Sequence, residues 1–293
     1  MSDYPILVGY DGSECAATAL RWAQVEASRR SAPVRLVYVF EWATAVTPVP
    51  VGSAWPDPGI RQAAVDAVDE TVAAARTARP DVPLTGMVID GLTVSTLRKL
   101  SEHARLLVVG SRGLGGFAHL RAGSVATGVA AHARCPAVVV VRGCAPATCP
   151  VVVGVDESVD ADQAIGFAFD HAAAGGVGLV AVRAWQPVPV PRPRDRGPVA
   201  FDAGALAAAE HLRAERALRS WQEKYPQVPM TIELRPECAA YGLVTASRQA
   251  QLIVIGARGR WGMHGLPLGS TARQLVDHSH CPVAIVRDNV EEP

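Results

Sequence analysis

One glycine-rich stretch occurs twice in this chain and limits the folds open to it. Residues 106–125 read LLVVGSRGLGGFAHLRAGSV, and residues 252–271 read LIVIGARGRWGMHGLPLGST. Gly110, Gly113, Gly123 and Ser124 follow the spacing G-x2-G-x9-G-S, and Gly256, Gly259, Gly269 and Ser270 repeat it without a slip. In each copy a short apolar run ends in Gly, as a buried strand does on reaching the edge of its sheet. Glycine then lets the backbone turn tightly and approach a ligand closely. The closing Gly-Ser opens a helix whose unpaired N–H groups and dipole favour an anion. A single loop of this kind is weak grounds for a phosphate site, because glycine-rich loops are common. Two copies with one internal spacing point to phosphate binding.

The repetition extends well beyond the loops. Val8-Gly9-Tyr10-Asp11-Gly12-Ser13 returns as Val153-Gly154-Val155-Asp156-Glu157-Ser158, and Cys135-Pro136 returns as Cys281-Pro282. Phe40-Glu41-Trp42 has a looser echo in Arg183-Ala184-Trp185. A tandem duplication follows, with a turn-rich joint over residues 143–150. A chain of 293 residues suits two domains at roughly 100–200 residues each. The boundaries implied are 1–143 and 150–293.

Within the first half, apolar runs at 6–10, 34–40, 84–89, 106–109 and 137–141 read as strands. Helical spacing of apolar residues falls between them at 14–30, 61–78, 94–103 and 124–132. Ser13 is placed to cap the first helix, with Glu14 in its opening turn. Residues 44–59 contain four prolines and read as a loop. The second half runs the same course, with strands at 151–155, 178–183, 231–234, 252–255 and 283–286. Its proline-rich loop, 186–198, adds Arg192, Arg194 and Arg196. Strands alternating with helices predict a parallel sheet with right-handed crossovers and helices on both faces.

Charge and thiol usage narrow the function classes. With 28 basic and 28 acidic residues, no net field steers the chain to nucleic acid or to an anionic membrane surface. No apolar run approaches the ~20 residues of a membrane span. Six scattered cysteines with no C-x2-C pair, and a strand-like run already at Ile6, suggest a reducing cytoplasmic setting. Cys135 and Cys281 read as packed residues, and Cys144 with Cys149 is the one pair placed to bridge under oxidation. Asp277, His278 and His280 imitate a metal cluster, but a solvated helix end explains them better.

In open α/β sheets a ligand sits beyond the carboxyl ends of the strands, where strand order reverses. With the order 3-2-1-4-5, Asp11 and Asp156 at the ends of the first strands adjoin the glycine loops. Such a carboxylate accepts from a ribose hydroxyl or an adenine amine while the loop holds phosphates. Arg112 and Arg258, within the loops, are placed to pair with phosphate oxygens. His119 and His264 fall at non-equivalent loop positions, which argues against a shared role.

At this point the chain resembles a tandem universal stress protein of the ATP-binding branch, over nearly its whole length. The resemblance implies two Rossmann-like α/β domains, related to the adenine nucleotide alpha hydrolase fold, each a five-stranded parallel sheet of order 3-2-1-4-5. It implies a regulator or sensor of the stress response, with ATP as ligand and Mg2+ as its companion ion. Asp11 and Asp156 match the family's nucleoside-contacting aspartate. Gly110, Gly113, Gly123, Ser124 and Val125 match its phosphate loop, as do Gly256, Gly259, Gly269, Ser270 and Thr271. Val39 and Val182 fall where the family's second strand lines the adenine pocket. A homodimer or higher homo-oligomer, and a regulatory protein partner, are also implied.

Three departures bear on the sites. Glu157 stands where many members have glycine, bringing negative charge toward the second site. Arg121 and Pro267 occupy a position that is commonly apolar, and Arg121 alone can reach a phosphate. The first site is therefore expected to be the more favourable for an anion. The sequence has no Gly-Lys pair of a Walker A motif and no G-x-S-x-G elbow, so binding is preferred to catalysis. The alternatives are a slow ATPase, whose water-positioning residues cannot be named, and an interaction scaffold with vestigial sites.

Overall fold

The computed structural model describes residues 4–41, 58–114, 122–141, 146–185, 203–260 and 266–288. These fall into two compact units, one ending at Arg142 and the other running from Gly143 to Asp288.

The first unit orders its strands β3-β2-β1-β4-β5: β1 (Ile6–Tyr10), β2 (Val34–Phe40), β3 (Leu84–Asp90), β4 (Leu106–Gly110) and β5 (Ala137–Val140). All pair in parallel, with Ile6 opposite Val34 on one side and Leu106 on the other. Ile6, Leu7, Val8, Leu36, Leu106 and Leu107 are fully buried, as a sheet covered on both faces requires. Right-handed crossovers place α1 (Glu14–Arg30) and α2 (Pro58–Ala78) on one face. The Gln24 amide donates to the Ala75 carbonyl at 2.9 Å and ties those two helices together. The return from β3 puts α3 (Thr93–Ser101) and α4 (Ser124–His132) on the opposite face, where Gly128 of α4 seats Val94.

The second unit repeats this course. β6 (Val151–Gly154), β7 (Leu179–Ala184), β8 (Met230–Arg235), β9 (Leu252–Gly256) and β10 (Val283–Val286) take the order β8-β7-β6-β9-β10. α5 (Val159–Gly175) and α6 (Ala203–Lys224) pack together, with Gly166 receiving the Trp221 ring. α7 (Ala239–Ala246) and α8 (Ser270–His278) cover the other face. The expected fold class holds in both units.

Two local expectations are corrected. The loop read to residue 59 ends earlier, because α2 begins at Pro58; proline's fixed φ and missing N–H suit the first helical turn. The echo of Phe40-Glu41-Trp42 in Arg183-Ala184-Trp185 is out of register by two. Gly9 pairs with Val37 and Gly154 with Val182, so Val182 corresponds to Val37, and Arg183 to Tyr38.

Candidate functional site

Each unit has a cavity at the carboxyl ends of its strands, where the strand order turns back. The first is about 500 Å3 and the second about 470 Å3. Both fall within the roughly 300–1,000 Å3 usual for small-molecule sites. The first is lined by Asp11, Val39, Gly110, Arg112, Gly113, Gly123, Ser124 and Val125 among others. The second brings together Asp156, Val182, Gly256, Arg258, Gly259, Gly269, Ser270 and Thr271. All sixteen residues singled out in the sequence thus border one cavity or the other. Arg121, His119, His264, Arg192, Arg194, Arg196 and Cys144 lie outside the described residues.

Short polar ties build the floor of the first cavity. Ser13 caps α1 by accepting from Ala16 N–H at 3.1 Å, and its hydroxyl donates to the Arg112 carbonyl at 3.3 Å. Asp11 accepts from Ser13 N–H at 2.9 Å through one oxygen and from Leu114 N–H at 3.0 Å through the other. One aspartate therefore binds the end of β1 to the glycine loop. A carboxylate has about four acceptor sites, so capacity for a ligand hydroxyl remains. The second cavity repeats the device: Asp156 accepts from Ser158 N–H at 2.9 Å and Arg260 N–H at 3.0 Å.

The loop glycines answer to two different demands. A Cβ at Gly110 would lie 2.6 Å from the Cys15 backbone carbon, so this glycine lets β4 press against α1. A Cβ at Gly113 would collide with the Asp11 carboxylate. Gly123 differs, because the nearest atom to its Cβ would be the Ser111 carbonyl oxygen at 3.7 Å. The protein's own packing leaves room for a side chain there. Gly123 is also the N-cap of α4 and offers no side-chain acceptor to the helix. The opening N–H groups of α4, at Ser124 and Val125, thus border the cavity with no side-chain cap.

The opposite wall is apolar. Val37, Val39 and Leu97 line the first cavity, and Val182, Ala184 and Leu243 the second. Leu97 and Leu243 were missed in the sequence, although both stand at the loops' own repeat interval. Thr93 also lines the first cavity; hydrogen bonding from the Thr93 side chain, and then from its N–H at 2.5 Å, holds the Glu41 carboxyl below its ordinary value.

Charge at the second mouth differs from expectation. Glu157 is not an isolated negative charge: it lies 3.3 Å from Arg183 and 3.6 Å from Arg213, and pairs closely with Arg260. Arg183 in turn meets buried Glu210 at 2.8 Å. Burial alone would push Glu157 up, but the guanidinium groups of Arg183 and Arg260 outweigh it and hold the carboxyl below its ordinary value. The turn also rearranges, since Gly12 adopts φ 85° whereas Glu157 has no positive φ.

This depression carries a pH consequence. A carboxyl lowered in the folded state adds stability above its unfolded pKa, about 4.3 for glutamate, and loses it as pH falls through the folded value. Arg260→Gln should move the Glu157 titration midpoint upward, followed by carboxyl-carbon NMR. An unmoved midpoint would show that Arg260 does not hold this charge.

Among the described residues no group of three His, Cys, Asp or Glu could hold a metal. His278 and His280 are exposed. Cys149 is free, and burial pushes the Cys135 thiol up to about 12, in line with a packing role. No helix among the described residues is long and apolar enough to cross a membrane.

Fold and cavities together define a tandem α/β protein with one Rossmann-like sheet, one glycine loop and one switch-point cavity in each unit. The universal stress protein family profile matches residues 4–142 and again 149–287, and the chain belongs to that family. Universal stress protein Rv2623 of Mycobacterium tuberculosis is 34% identical over 297 residues, covering 99% of this chain and 98% of its own. A universal stress protein of Mycolicibacterium smegmatis is 35% identical over 301 residues, with 98% of each chain covered. Among solved structures, a universal stress protein from Archaeoglobus fulgidus aligns with a TM-score of 0.70 at 18% identity. It covers 98% of this chain and 99% of its own, a likeness of fold.

Proposed function

We propose that this protein is an ATP-binding regulator of the stress response, acting in the cytoplasm, with an adenine nucleotide cavity in each unit. The observation that carries the reading is the convergence, twice over, of three chemically distinct walls on one cavity. Val37, Val39 and Leu97 offer a slot for a flat base. Asp11 offers a carboxylate for a ribose hydroxyl or base amine. Arg112 and the opening amides of α4 offer donors for phosphate oxygens. Gly123 supports the same reading, since its missing side chain is not required by the protein's packing.

Binding is favoured over turnover by the chemistry of the lining. Asp11 is the one acid, and no histidine lines the first cavity among the described residues. Both Asp11 oxygens already accept from backbone amides, which suits a positioning role better than proton transfer. Mg2+ would arrive with the phosphates of ATP rather than on a protein cage. Nucleotide would shift the loop among its conformations by the difference in its affinity for them, which is the signal a partner protein reads.

A melting experiment tests the proposal. ATP at about 100 times its Kd should add about 2.7 kcal/mol to the stability of a liganded unit. The double variant Asp11→Ala, Asp156→Ala should lose the shift. A wild-type protein whose melting is indifferent to ATP would turn the reading toward a scaffold with vestigial sites.

A further inference from the structure

The two cavities share a loop but not its charge. Gly12, Cys15, Arg112 and Leu114 in the first unit stand where the second has Glu157, Asp160, Arg258 and Arg260. At these positions the second unit gains two acids and one arginine. Arg183, standing where the first unit has Tyr38, adds a further arginine at the cavity, held by Glu157 and Glu210, and the structure pairs the acids with arginines. Asp160 is buried, accepting from Arg258 N–H at 3.0 Å through one oxygen and from Asp288 N–H at 2.9 Å through the other. The Arg258 guanidinium Nε sits 3.5 Å from the same carboxylate. Glu157 engages Arg260. In the first unit, by contrast, the Arg112 guanidinium has no carboxylate partner among the described residues, and Cys15 leaves the Arg112 N–H without an equivalent internal acceptor.

We infer that the cavities accept different charge: the first takes a nucleoside triphosphate, the second a nucleoside or nucleoside monophosphate. This rests on the nucleotide reading and refines it. A phosphate entering the second cavity must compete with Asp160 for both the amide and the guanidinium of Arg258. Asp160 does not yield readily, because moving it would strip a desolvated carboxylate of two backbone donors. It also repels the incoming anion through a medium of lower dielectric than water. The base wall of Val182, Ala184 and Leu243 is left intact, so recognition there falls on the uncharged part of the ligand.

Calorimetric titration of the full chain with adenosine, AMP and ATP tests this, with one cavity blocked at a time by Gly123→Glu or Gly269→Glu. In the first cavity, affinity should climb by about 100-fold from adenosine to ATP, as two charge-assisted contacts imply. In the second it should vary by about 3-fold or less. Asp160→Asn removes the charge and keeps one of the two acceptors; it should tighten ATP at the second cavity by about 10-fold and leave adenosine unchanged. Equal ATP-to-adenosine ratios in the two cavities would overturn the inference. So would a ratio untouched by Asp160→Asn, or a second cavity that takes none of the three ligands. Failure of the nucleotide reading has a separate signature, which is no binding of any ligand to either blocked protein, and it would remove the inference too.

Discussion

Gly123→Glu is expected to abolish ATP binding at the first cavity, a loss of about 100-fold or more, while the unit stays folded. The contrast among the loop glycines sets this expectation. A Cβ at Gly123 meets nothing nearer than 3.7 Å, but it would stand 3.9 Å from the Gly113 amide nitrogen, over the donors that face the ligand. The carboxylate beyond it would add a negative charge at the mouth of α4, where phosphate is to sit. Withdrawing two charge-assisted contacts and adding repulsion accounts for the magnitude, each contact being about 1.5–3 kcal/mol. Gly110 or Gly113 could not serve, since a side chain at either collides with Cys15 or Asp11 and confuses folding with binding. Calorimetry for ATP affinity and circular dichroism for the fold check the result together. Undiminished affinity in a folded Gly123→Glu protein would move the phosphate site elsewhere.

Phe169→Ala should destabilise the second unit by about 3–5 kcal/mol, the usual range for emptying a buried aromatic position. Phe169 of α5 is fully buried and stacks on Tyr225, with ring centroids 5.9 Å apart. Its counterpart in α1 is Gln24, buried and held by the Ala75 carbonyl instead. The same seat is thus filled by an aromatic contact in one unit and by a hydrogen bond in the other. A loss of this size is a large share of the roughly 5–15 kcal/mol that a folded domain commands. Urea unfolding of the full chain, followed by Tyr225 and Trp221 fluorescence, reads it. A change below about 1 kcal/mol would mean that α5 repacks around the gap.

Much of this was legible in the chain because buried parallel strands are written as short apolar runs. The runs at 6–10 and 34–40 became β1 and β2 with those bounds, and 124–132 became α4. The glycine loops were legible through repetition, since two copies with one spacing carry more information than either alone. Local chemistry was legible as well: Ser13 does cap α1. What escaped depends on partners distant in the chain. Nothing near Asp160 announces that it will meet Arg258, 98 residues on, or near Glu157 that Arg260 will neutralise it from 103 residues away. Arg183 was read only as part of an echo, and its partner Glu210 lies on α6, across a proline-rich loop. The expectation of a less favourable second site rested on Glu157 and on Pro267 standing where the first loop has Arg121. The structure balances that charge and places a buried carboxylate, Asp160, beneath the loop instead.

The register slip at β2 has a similar origin. Phe40-Glu41-Trp42 and Arg183-Ala184-Trp185 match in type at the ends of their strands, where no neighbouring contact fixes the alignment. Pairing with β1 and β6 fixes it, because a parallel ladder sets residue against residue along its length. Val39 and Val182 each border their own cavity, yet not as equivalents: Val182 corresponds to Val37, and Val39 to Ala184.

The most direct test is to denature freshly purified protein, release whatever small molecules it carries, then identify and count them. The account predicts about one ATP per chain from the first cavity, with any second adenine compound less highly charged, and loss of the ATP in Gly123→Glu. A protein that releases no adenine compound, and retains none after incubation with ATP, would contradict it.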